Sequence, residues 1–187
     1  MRRPPGASGR SVLAAAGLAA LLLLISGCAL IGGGTIFTDV PDQMTVTSPD
    51  FGQGLSGLAF SCRGSGKHPV IYWSGAPRET RSFALVMDDA AAPITPYIYW
   101  IVFDIGRQTS DIPSGQLPPG ARQAGNSKGT VGYDPPCPSN RGHEYRFTVY
   151  ALNRKLKLQA RSSAKTAWTA IAASAIARGR LVAVIDP

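Results

Sequence analysis

The 187-residue chain has little charge and few long apolar runs, and each shortage excludes a class of protein. Charged residues make up 16% of the chain against 44% hydrophobic residues, which excludes a disordered tail. Only one apolar run is long enough to concern a membrane, and it lies at the N-terminus, so a polytopic membrane protein is excluded. The 21 glycines and 15 prolines exclude a coiled coil, and the length suggests one domain.

Familiar catalytic and metal-binding motifs are also missing. The sequence has no Gly-x-Ser-x-Gly elbow, no glycine-rich phosphate loop and no His-Glu-x-x-His segment. Its two histidines are His68, which we expect to be a loop residue, and His143; two histidines do not make a zinc set. We therefore predict no enzyme activity, no metal and no cofactor.

The N-terminus has the features of an export signal. Three arginines and no acid accompany an uninterrupted apolar run from Val12 to Ile25. As a helix this run spans about 21 Å, short of the roughly 30 Å hydrocarbon core of a bilayer. The run leads into Leu-Ile-Ser-Gly-Cys at 24–28, which resembles the bacterial lipobox, in which the cysteine is acylated and the chain is cut just before it. The alternative is an ordinary signal peptide in which Cys28 is not acylated.

The lipobox resemblance divides the chain into three parts. We predict a lipoprotein signal peptide at 1–27, a lipidated flexible tether at 28–44 and a domain at 45–187. Cleavage removes three arginines and no acid, which lowers the net charge from +8 to +5. Acyl chains on Cys28 then hold the domain on the extracytoplasmic face of the cell membrane, with membrane lipid as a partner. That location offers little nucleic acid, so we predict no nucleic-acid partner.

Cys62 and Cys137 are left once Cys28 is acylated. A pair of cysteines in an exported domain favours a disulfide. The enclosed loop of about 75 residues corresponds to roughly 4 kcal/mol of stabilisation by loop entropy. The alternatives are two separate buried thiols or one exposed reactive thiol.

Hydrophobic patterning predicts a mainly β domain with one late helix. The candidate strands are Val70–Trp73, Ser82–Met87 followed by Asp88 and Asp89, Tyr97–Phe103, Glu144–Leu152 and Leu181–Ile185. Helical spacing predicts one helix from Ala164 to Ile176. Ser162 or Ser163 can cap its start, and Gly179 lies just beyond its end. This order favours an antiparallel β-sandwich with the helix packed at one edge.

Basic residues cluster in the last part of the chain. After Ala151, the only acid is Asp186, and the local charge is +6. The seven cations are Arg154, Lys155, Lys157, Arg161, Lys165, Arg178 and Arg180. They form either a solvated surface or a face attracted to anionic lipid headgroups, where each basic residue gains about 1 kcal/mol.

Three segments, in order, resemble the phosphatidylethanolamine-binding protein family, in its bacterial Raf-kinase-inhibitor-like branch. Trp-Ser-Gly-Ala-Pro at 73–77 and the strand that runs into Asp-Asp-Ala-Ala-Ala-Pro at 88–93 resemble the family's Trp-Ser-Gly-x-Pro and Asp-Asp-Pro-Asp-Ala-Pro. Tyr-Trp-Ile-Val-Phe-Asp-Ile at 99–105 is similar to His-Trp-Val-Val-Tyr-Asn-Ile. Pro-Cys-Pro at 136–138 and the segment 143–152 resemble Pro-Cys-Pro-Pro and His-Arg-Tyr-x-Phe-x-x-Tyr-Ala-Leu.

The resemblance implies a β-sandwich with a C-terminal helix and a small solvent-open pocket for phosphate-like or other anionic groups. The pocket residues that it implies are Asp88, Asp89, Tyr99, Pro136, His143 and Tyr145. A protonated imidazole and a phenol can donate hydrogen bonds to an anion, and Asp89 can orient His143. In the family, the segments that hold Cys62 and Cys137 flank this pocket.

The sequence departs from the family pattern at two pocket positions. Tyr99 replaces the family's first pocket histidine, and Ala91 replaces an aspartate of the Asp-Asp-Pro-Asp motif. Tyr99 keeps a hydrogen-bond donor but carries no positive charge near neutral pH. If the pocket takes no ligand, His143 and Tyr145 form a hydrogen-bonded pair, and the two aspartates cap the end of their strand.

Three function classes remain open. The first, which we predict, is a lipid-anchored module that binds a small anionic or phosphorylated ligand such as a headgroup. The second is a protein-interaction or regulatory module, because relatives include inhibitors of kinases and proteases. The third is a hydrolase, for which only Asp89 and His143 offer a base.

Overall fold

The computed structural model describes residues 40–52, 57–89, 96–138, 143–159 and 161–185. The predicted signal peptide, Cys28, residues 29–39 of the predicted tether and Ala91 lie outside these ranges. Within them, no helix is long and apolar enough to cross a membrane. The predicted fold class is confirmed, because the described residues form two antiparallel sheets and one α-helix near the C-terminus.

The described elements follow the predicted order. The strands are β1 (Thr45–Thr47), β2 (Ile71–Ser74), β3 (Ser82–Asp89), β4 (Ile98–Gly106), β5 (Asp111–Ile112), β6 (Arg122–Gln123), β7 (His143–Leu152) and β8 (Ala175–Ile185). The helix α1 (Ala164–Ala172) lies between β7 and β8, and a short 3-10 turn (Leu58–Phe60) lies between β1 and β2. The small sheet has the order β1-β2-β5, and the large sheet has the order β6-β4-β3-β7-β8.

The large sheet buries both of its faces. Successive side chains of a strand point to opposite faces, so alternate residues of β3 contribute to two cores. Leu85 and Met87 pack against Ile71 and Trp73 of the small sheet. Ala84 and Val86 face the other way and belong to the core that contains Ile171 of α1 and Leu156. The domain is therefore a sandwich with a helix on its outer side.

The start of α1 agrees with the prediction, but its end does not. The Ser163 hydroxyl accepts a hydrogen bond from the Thr166 amide at 3.2 Å, which is an N-cap. The helix ends at Ala172, and Gly179 lies inside β8 rather than at a helix end. A Cβ atom at this glycine would lie 2.3 Å from the Met44 carbonyl oxygen. The glycine is needed because another backbone segment crosses β8 there.

That crossing segment is the end of the predicted tether. The amides of Gln43 and Met44 donate to the Arg178 carbonyl at 3.1 and 3.0 Å, and Met44 is part of the core. Residues 40–44 thus belong to the folded domain, which shortens the predicted 28–44 tether at its C-terminal end.

The side chain of Asp42 fixes this segment to β8. It accepts hydrogen bonds from Arg178 and Arg180. Burial acts to raise the pKa of Asp42, but the two guanidinium groups outweigh it and hold the pKa below its usual value. Two cations of the predicted basic cluster are therefore used inside the fold.

Candidate functional site

Three neighbouring strands bring the candidate site residues to one end of the large sheet. In the β3–β7 register, Asp89 at the end of β3 lies opposite Tyr145 near the start of β7. In the β3–β4 pairing, the register shifts between Met87 and Asp88, next to Tyr99. Such an irregularity re-aims a side chain, and Tyr99 packs on the same core as its neighbour Trp100. The sequence motifs meet here because antiparallel pairing joins the end of one strand to the start of the next.

Asp89, Tyr99, His143 and Tyr145 form a contiguous group. The Nδ1 atom of His143 lies 3.6 Å from Oδ2 of Asp89. The rings of Tyr99 and Tyr145 meet edge to face, with centroids 5.2 Å apart, and their hydroxyls are hydrogen-bonded. The His143 side chain is 41% exposed, whereas Tyr145 is 1% exposed. His143 can therefore touch a ligand, while the buried Tyr145 holds Tyr99 in position through its ring and hydroxyl contacts.

An open cleft of about 460 Å³ adjoins this group at Tyr99. Its other lining residues are Tyr97, Lys128, Asp134, Pro135 and the two cysteines. The Tyr97 hydroxyl donates to Asp134 at 3.0 Å, and the Lys128 ammonium lies 3.4 Å from the same carboxylate. The Lys128 side chain is 63% exposed, so it can turn toward a bound anion. This volume is in the range of small-molecule sites.

Burial keeps the tyrosines of the site in their protonated form. Burial and the hydrogen bond to Asp134 raise the pKa of Tyr97 to about 12. Burial, with the neighbouring Tyr145 and Asp89, raises the pKa of Tyr99 further. Burial and the Asp89 carboxylate also raise the pKa of Tyr145, partly offset by its hydrogen bond with Tyr99. The hydroxyls therefore keep their protons over the whole physiological pH range.

The predicted disulfide between Cys62 and Cys137 is confirmed, with Cα atoms 5.3 Å apart. The Cys62 amide also donates to the Pro136 carbonyl at 3.0 Å. Pro136, a predicted pocket residue, is buried, and its neighbour Pro135 lines the cleft instead. The bridge and the hydrogen bond together hold two loops as one side of the cleft.

Asp88 does not join this group. Its side chain lies on the helix-bearing face of the large sheet, because it alternates with Asp89 along β3. Arg146 donates to both Asp88 oxygens, at 3.1 and 2.5 Å, and this pairing raises the pKa of the arginine. The inclusion of Asp88 among the pocket residues is thus corrected: it is one half of a nearly buried ion pair.

His68 lies in a loop, as expected, but it is buried. Its ring stacks on Trp100 with centroids 4.2 Å apart, and its Nδ1 lies 3.2 Å from the Pro69 carbonyl. Burial lowers the pKa of His68. This histidine therefore packs behind the site as a neutral ring.

Four residues of the cleft were missed from the sequence: Tyr97, Lys128, Asp134 and Pro135. Tyr97 was counted only as part of an aromatic strand, and Asp134 and Pro135 directly precede the Pro-Cys-Pro motif at 136–138. These three could have been found from their neighbours. Lys128 has no local signal, because a turn brings it to Asp134 from another part of a long irregular segment. Among the described residues, no cluster of three or more metal-ligating side chains occurs.

Comparison with known proteins agrees with this arrangement. The family model described as phosphatidylethanolamine-binding protein matches residues 45–186. A Mycobacterium tuberculosis protein named "Putative lipoprotein LppC" is 34% identical over an alignment of 198 positions, gaps included, that covers 95% of this chain and 96% of that protein. A UPF0098 protein of Methanothermobacter thermautotrophicus is 33% identical over 128 residues, which cover 66% of this chain and 85% of that protein.

A solved structure shows the same fold. The crystal structure of Escherichia coli YbcL, described as a member of the mammalian PEBP family, matches with a TM-score of 0.70 and 28% identity. The match covers 78% of this chain and 99% of YbcL. From the family model, the full-length relative and the shared fold, we conclude that the chain belongs to the phosphatidylethanolamine-binding protein family.

Proposed function

We propose that this protein is a lipid-anchored, extracytoplasmic binding module that takes a small phosphorylated ligand in the cleft beside Tyr99. The proposal has two parts, a site and an anchor. Each part is supported by a different feature of the chain, and each has its own test.

The observation that carries the site is the mixture of charges in and beside the cleft. The Lys128 ammonium and the exposed His143 imidazole are donors for phosphate oxygens. The Tyr97 and Tyr99 hydroxyls join them when a phosphate oxygen replaces Asp134 or Tyr145 as their hydrogen-bond partner. The carboxylates of Asp89 and Asp134 lie among these donors and repel an anion of high charge. A phosphate monoester or diester that also carries an ammonium group satisfies both kinds of partner, and phosphoethanolamine is the simplest such compound.

The tyrosine rings add to the ammonium site. Tyr97 and Tyr99 lie with ring centroids 4.6 Å apart, and both rings line the cleft. A ligand cation over an aromatic face gains about 0.5–1 kcal/mol at an exposed site and more where water is excluded. The replacement of the family's histidine by Tyr99 therefore exchanges a chargeable donor for a neutral donor with an aromatic face.

The support for the anchor is the lipobox-like sequence that ends at Cys28, together with the name of the mycobacterial relative, which calls it a lipoprotein. Two or three acyl chains hold a protein on a membrane durably, whereas one chain binds only weakly. Replacement of Cys28 by alanine is expected to move the protein from the membrane fraction to the soluble fraction or the medium. Full retention of the variant with the membrane contradicts the anchor.

The site is tested by thermal unfolding of the purified chain with inorganic phosphate, phosphoethanolamine or ethanolamine. A ligand at 100 times its Kd stabilises the folded state by about 2.7 kcal/mol. We expect the largest stabilisation from phosphoethanolamine and a loss of most of it in Tyr99→Phe and His143→Ala. Tyr72→Phe is the matched control, because Tyr72 is exposed on β2 of the small sheet.

Two results contradict the binding proposal. The first is no shift with any of these compounds at millimolar concentration. The second is an equal shift in wild type and Tyr99→Phe. Steady hydrolysis of an ester panel that His143→Ala abolishes favours the hydrolase instead, because the proposed module returns its ligand unchanged.

A further inference from the structure

One strongly charged surface takes no part in the cleft. From Tyr145 to Ile185 the chain contains eight basic residues and no acid. Three of the eight, Arg146, Arg178 and Arg180, pair with Asp88 or Asp42. The other five are exposed, and we call them the basic face: Arg154, Lys155, Lys157, Arg161 and Lys165. None of these five lies within ion-pair distance of a carboxylate of the described residues.

The basic face is carried by ordered structure. Leu156 is 4% exposed, and its amide donates to the Asp104 carboxylate at 2.7 Å. Arg122 donates to the Leu158 carbonyl at 3.0 Å. The loop after β7 is therefore tied to the large sheet at alternate residues, and its lysines point outward between the ties.

Helix stability does not explain the cation at the start of α1. Lys165 lies in the first turn, which contains no acidic residue. A positive charge there opposes the helix dipole and weakens the helix slightly. Lys165 thus adds positive charge to the surface while slightly lowering the stability of α1.

The basic face and the candidate site lie on different sides of the large sheet. The loop and α1 cover the face that contains Ala84 and Val86, whereas Asp89 and Tyr145 belong to the face toward the small sheet. The loop begins after Leu152, at the opposite end of β7 from Tyr145. At about 3.3 Å per residue, Tyr145 and Leu152 are about 23 Å apart. The start of α1 lies nearer the cleft, because the Gly125 amide donates to the Ser162 carbonyl at 2.8 Å and Lys128 follows in the next turn. The separation therefore holds for the lysines of the loop, not for Arg161 and Lys165.

The chain enters the domain on the side of the basic face. Val40 packs against the same core as Leu156, Leu158 and Trp168. Asp42 then joins β8 beside Arg178, which lies opposite Tyr150 near the end of β7. The segment from Cys28 to Val40 spans at most about 40 Å when fully extended. A lipid on Cys28 thus keeps the basic face within reach of the bilayer.

We propose that the basic face docks on an anionic phospholipid surface through the loop after β7 and leaves the cleft open to solution. This inference rests on the anchor part of the proposed function. Each cation close to an anionic surface favours docking about fivefold, so the five together outweigh the freedom of a short tether. The ligand of the cleft then arrives from the surrounding solution, not from the bilayer below.

The test is hydrogen exchange on the full-length chain reconstituted on vesicles of phosphatidylcholine alone or mixed with phosphatidylglycerol. We expect the amides of 153–159 and 161–172 to exchange more slowly on the anionic vesicles, and those of 97–103 to be unaffected. Salt at about 1 M shortens the Debye length to about 3 Å and should abolish the difference. Lys155→Gln with Lys157→Gln should lower the docking equilibrium about 25-fold. Arg63→Gln with Lys67→Gln is the control, because it removes two exposed cations from a loop beside the cleft.

Three outcomes overturn the proposal: no lipid-dependent protection, protection that high salt leaves unchanged, or an equal loss of protection in the control variant. Protection of 97–103 would place the cleft on the bilayer and also overturn it. The change in the docking equilibrium is measured only on chains that remain attached to vesicles. A negative result for docking is therefore distinct from a failure of the anchor. Ligand binding in the cleft is measured separately by thermal unfolding.

Discussion

Removal of the disulfide should destabilise the domain by changing its unfolded state. The bridge joins Cys62 and Cys137, which are 75 residues apart, and both cysteines are exposed. Replacing both by serine therefore leaves no cavity in the core. The chain-entropy relation for a loop of this length gives about 4.5 kcal/mol of lost stability. For a domain of this size, that loss lowers Tm by roughly 10–20 °C.

The local geometry predicts that binding is affected much less than stability. The Cys62 amide keeps its hydrogen bond to the Pro136 carbonyl when the sulfur atoms are replaced, so the wall of the cleft stays in place at temperatures where the domain is folded. We expect the affinity for phosphoethanolamine to fall by a few fold at most, because the hydrogen bond that holds the two loops together remains.

Urea unfolding of wild type, reduced wild type and the double serine variant measures this directly. Reduced wild type and the variant should unfold at the same lower urea concentration, and their m-value should rise because an uncrosslinked unfolded chain exposes more surface. A variant as stable as oxidised wild type refutes the reasoning. So does a variant that the reductant destabilises further, because it has no bridge to lose.

Three further predictions concern single contacts, and urea unfolding measures each of them. Gly179→Ala should cost about 2 kcal/mol, because its Cβ would strike the Met44 carbonyl oxygen; an unchanged midpoint contradicts this contact. Asp88→Asn should cost about 2 kcal/mol, less than for a fully buried pair, because it leaves the partly exposed Arg146 guanidinium without its carboxylate; neutrality contradicts the ion pair. Burial lowers the pKa of His68, so the stability that its neutral ring contributes is present above pH 6.5 and is lost as the pH falls through the lower pKa of the folded state. His68→Gln should therefore flatten the fall in stability at acid pH. An unchanged dependence of stability on pH contradicts a buried neutral His68.

The main strands could be predicted because each contains a long run of apolar residues or a long alternation of apolar and polar residues. β3, β4 and β7 each bury a run of side chains, and the predicted runs end within one to three residues of the strand ends. The two-residue strands β5 and β6 could not be found, because they are held by pairing partners far away in the chain. The β-sandwich class follows from the long strands alone.

The errors occurred where distant backbone decides the local structure. Ala175 and Ile176 fit the helical spacing, yet they begin β8, which pairs with β7 over its whole length. Gly179 has the composition of a helix end, but it is required by the crossing of Met44. No local pattern reports such a crossing.

The candidate site was predictable in part for a similar reason. Adjacent aspartates on a strand point to opposite faces, so only one of Asp88 and Asp89 can join the group of Tyr99, His143 and Tyr145. Alternation with the buried Met87 and Leu85 could have shown that this one is Asp89. The contribution of Lys128 could not be predicted, because it depends on how an irregular segment folds back on Asp134.

Chemical-shift mapping by NMR tests the central claim most directly, because it shows where a phosphorylated ligand binds as well as whether it binds. On titration with phosphoethanolamine, we predict saturable chemical-shift changes at the backbone amides of four cleft residues: Tyr97, Tyr99, Lys128 and Asp134. Tyr99→Phe should weaken the affinity measured from these changes, and Tyr72→Phe should leave it unchanged. Shifts that cluster instead on the loop from Arg154 to Lys165, or an unchanged spectrum at millimolar ligand, would contradict the claim.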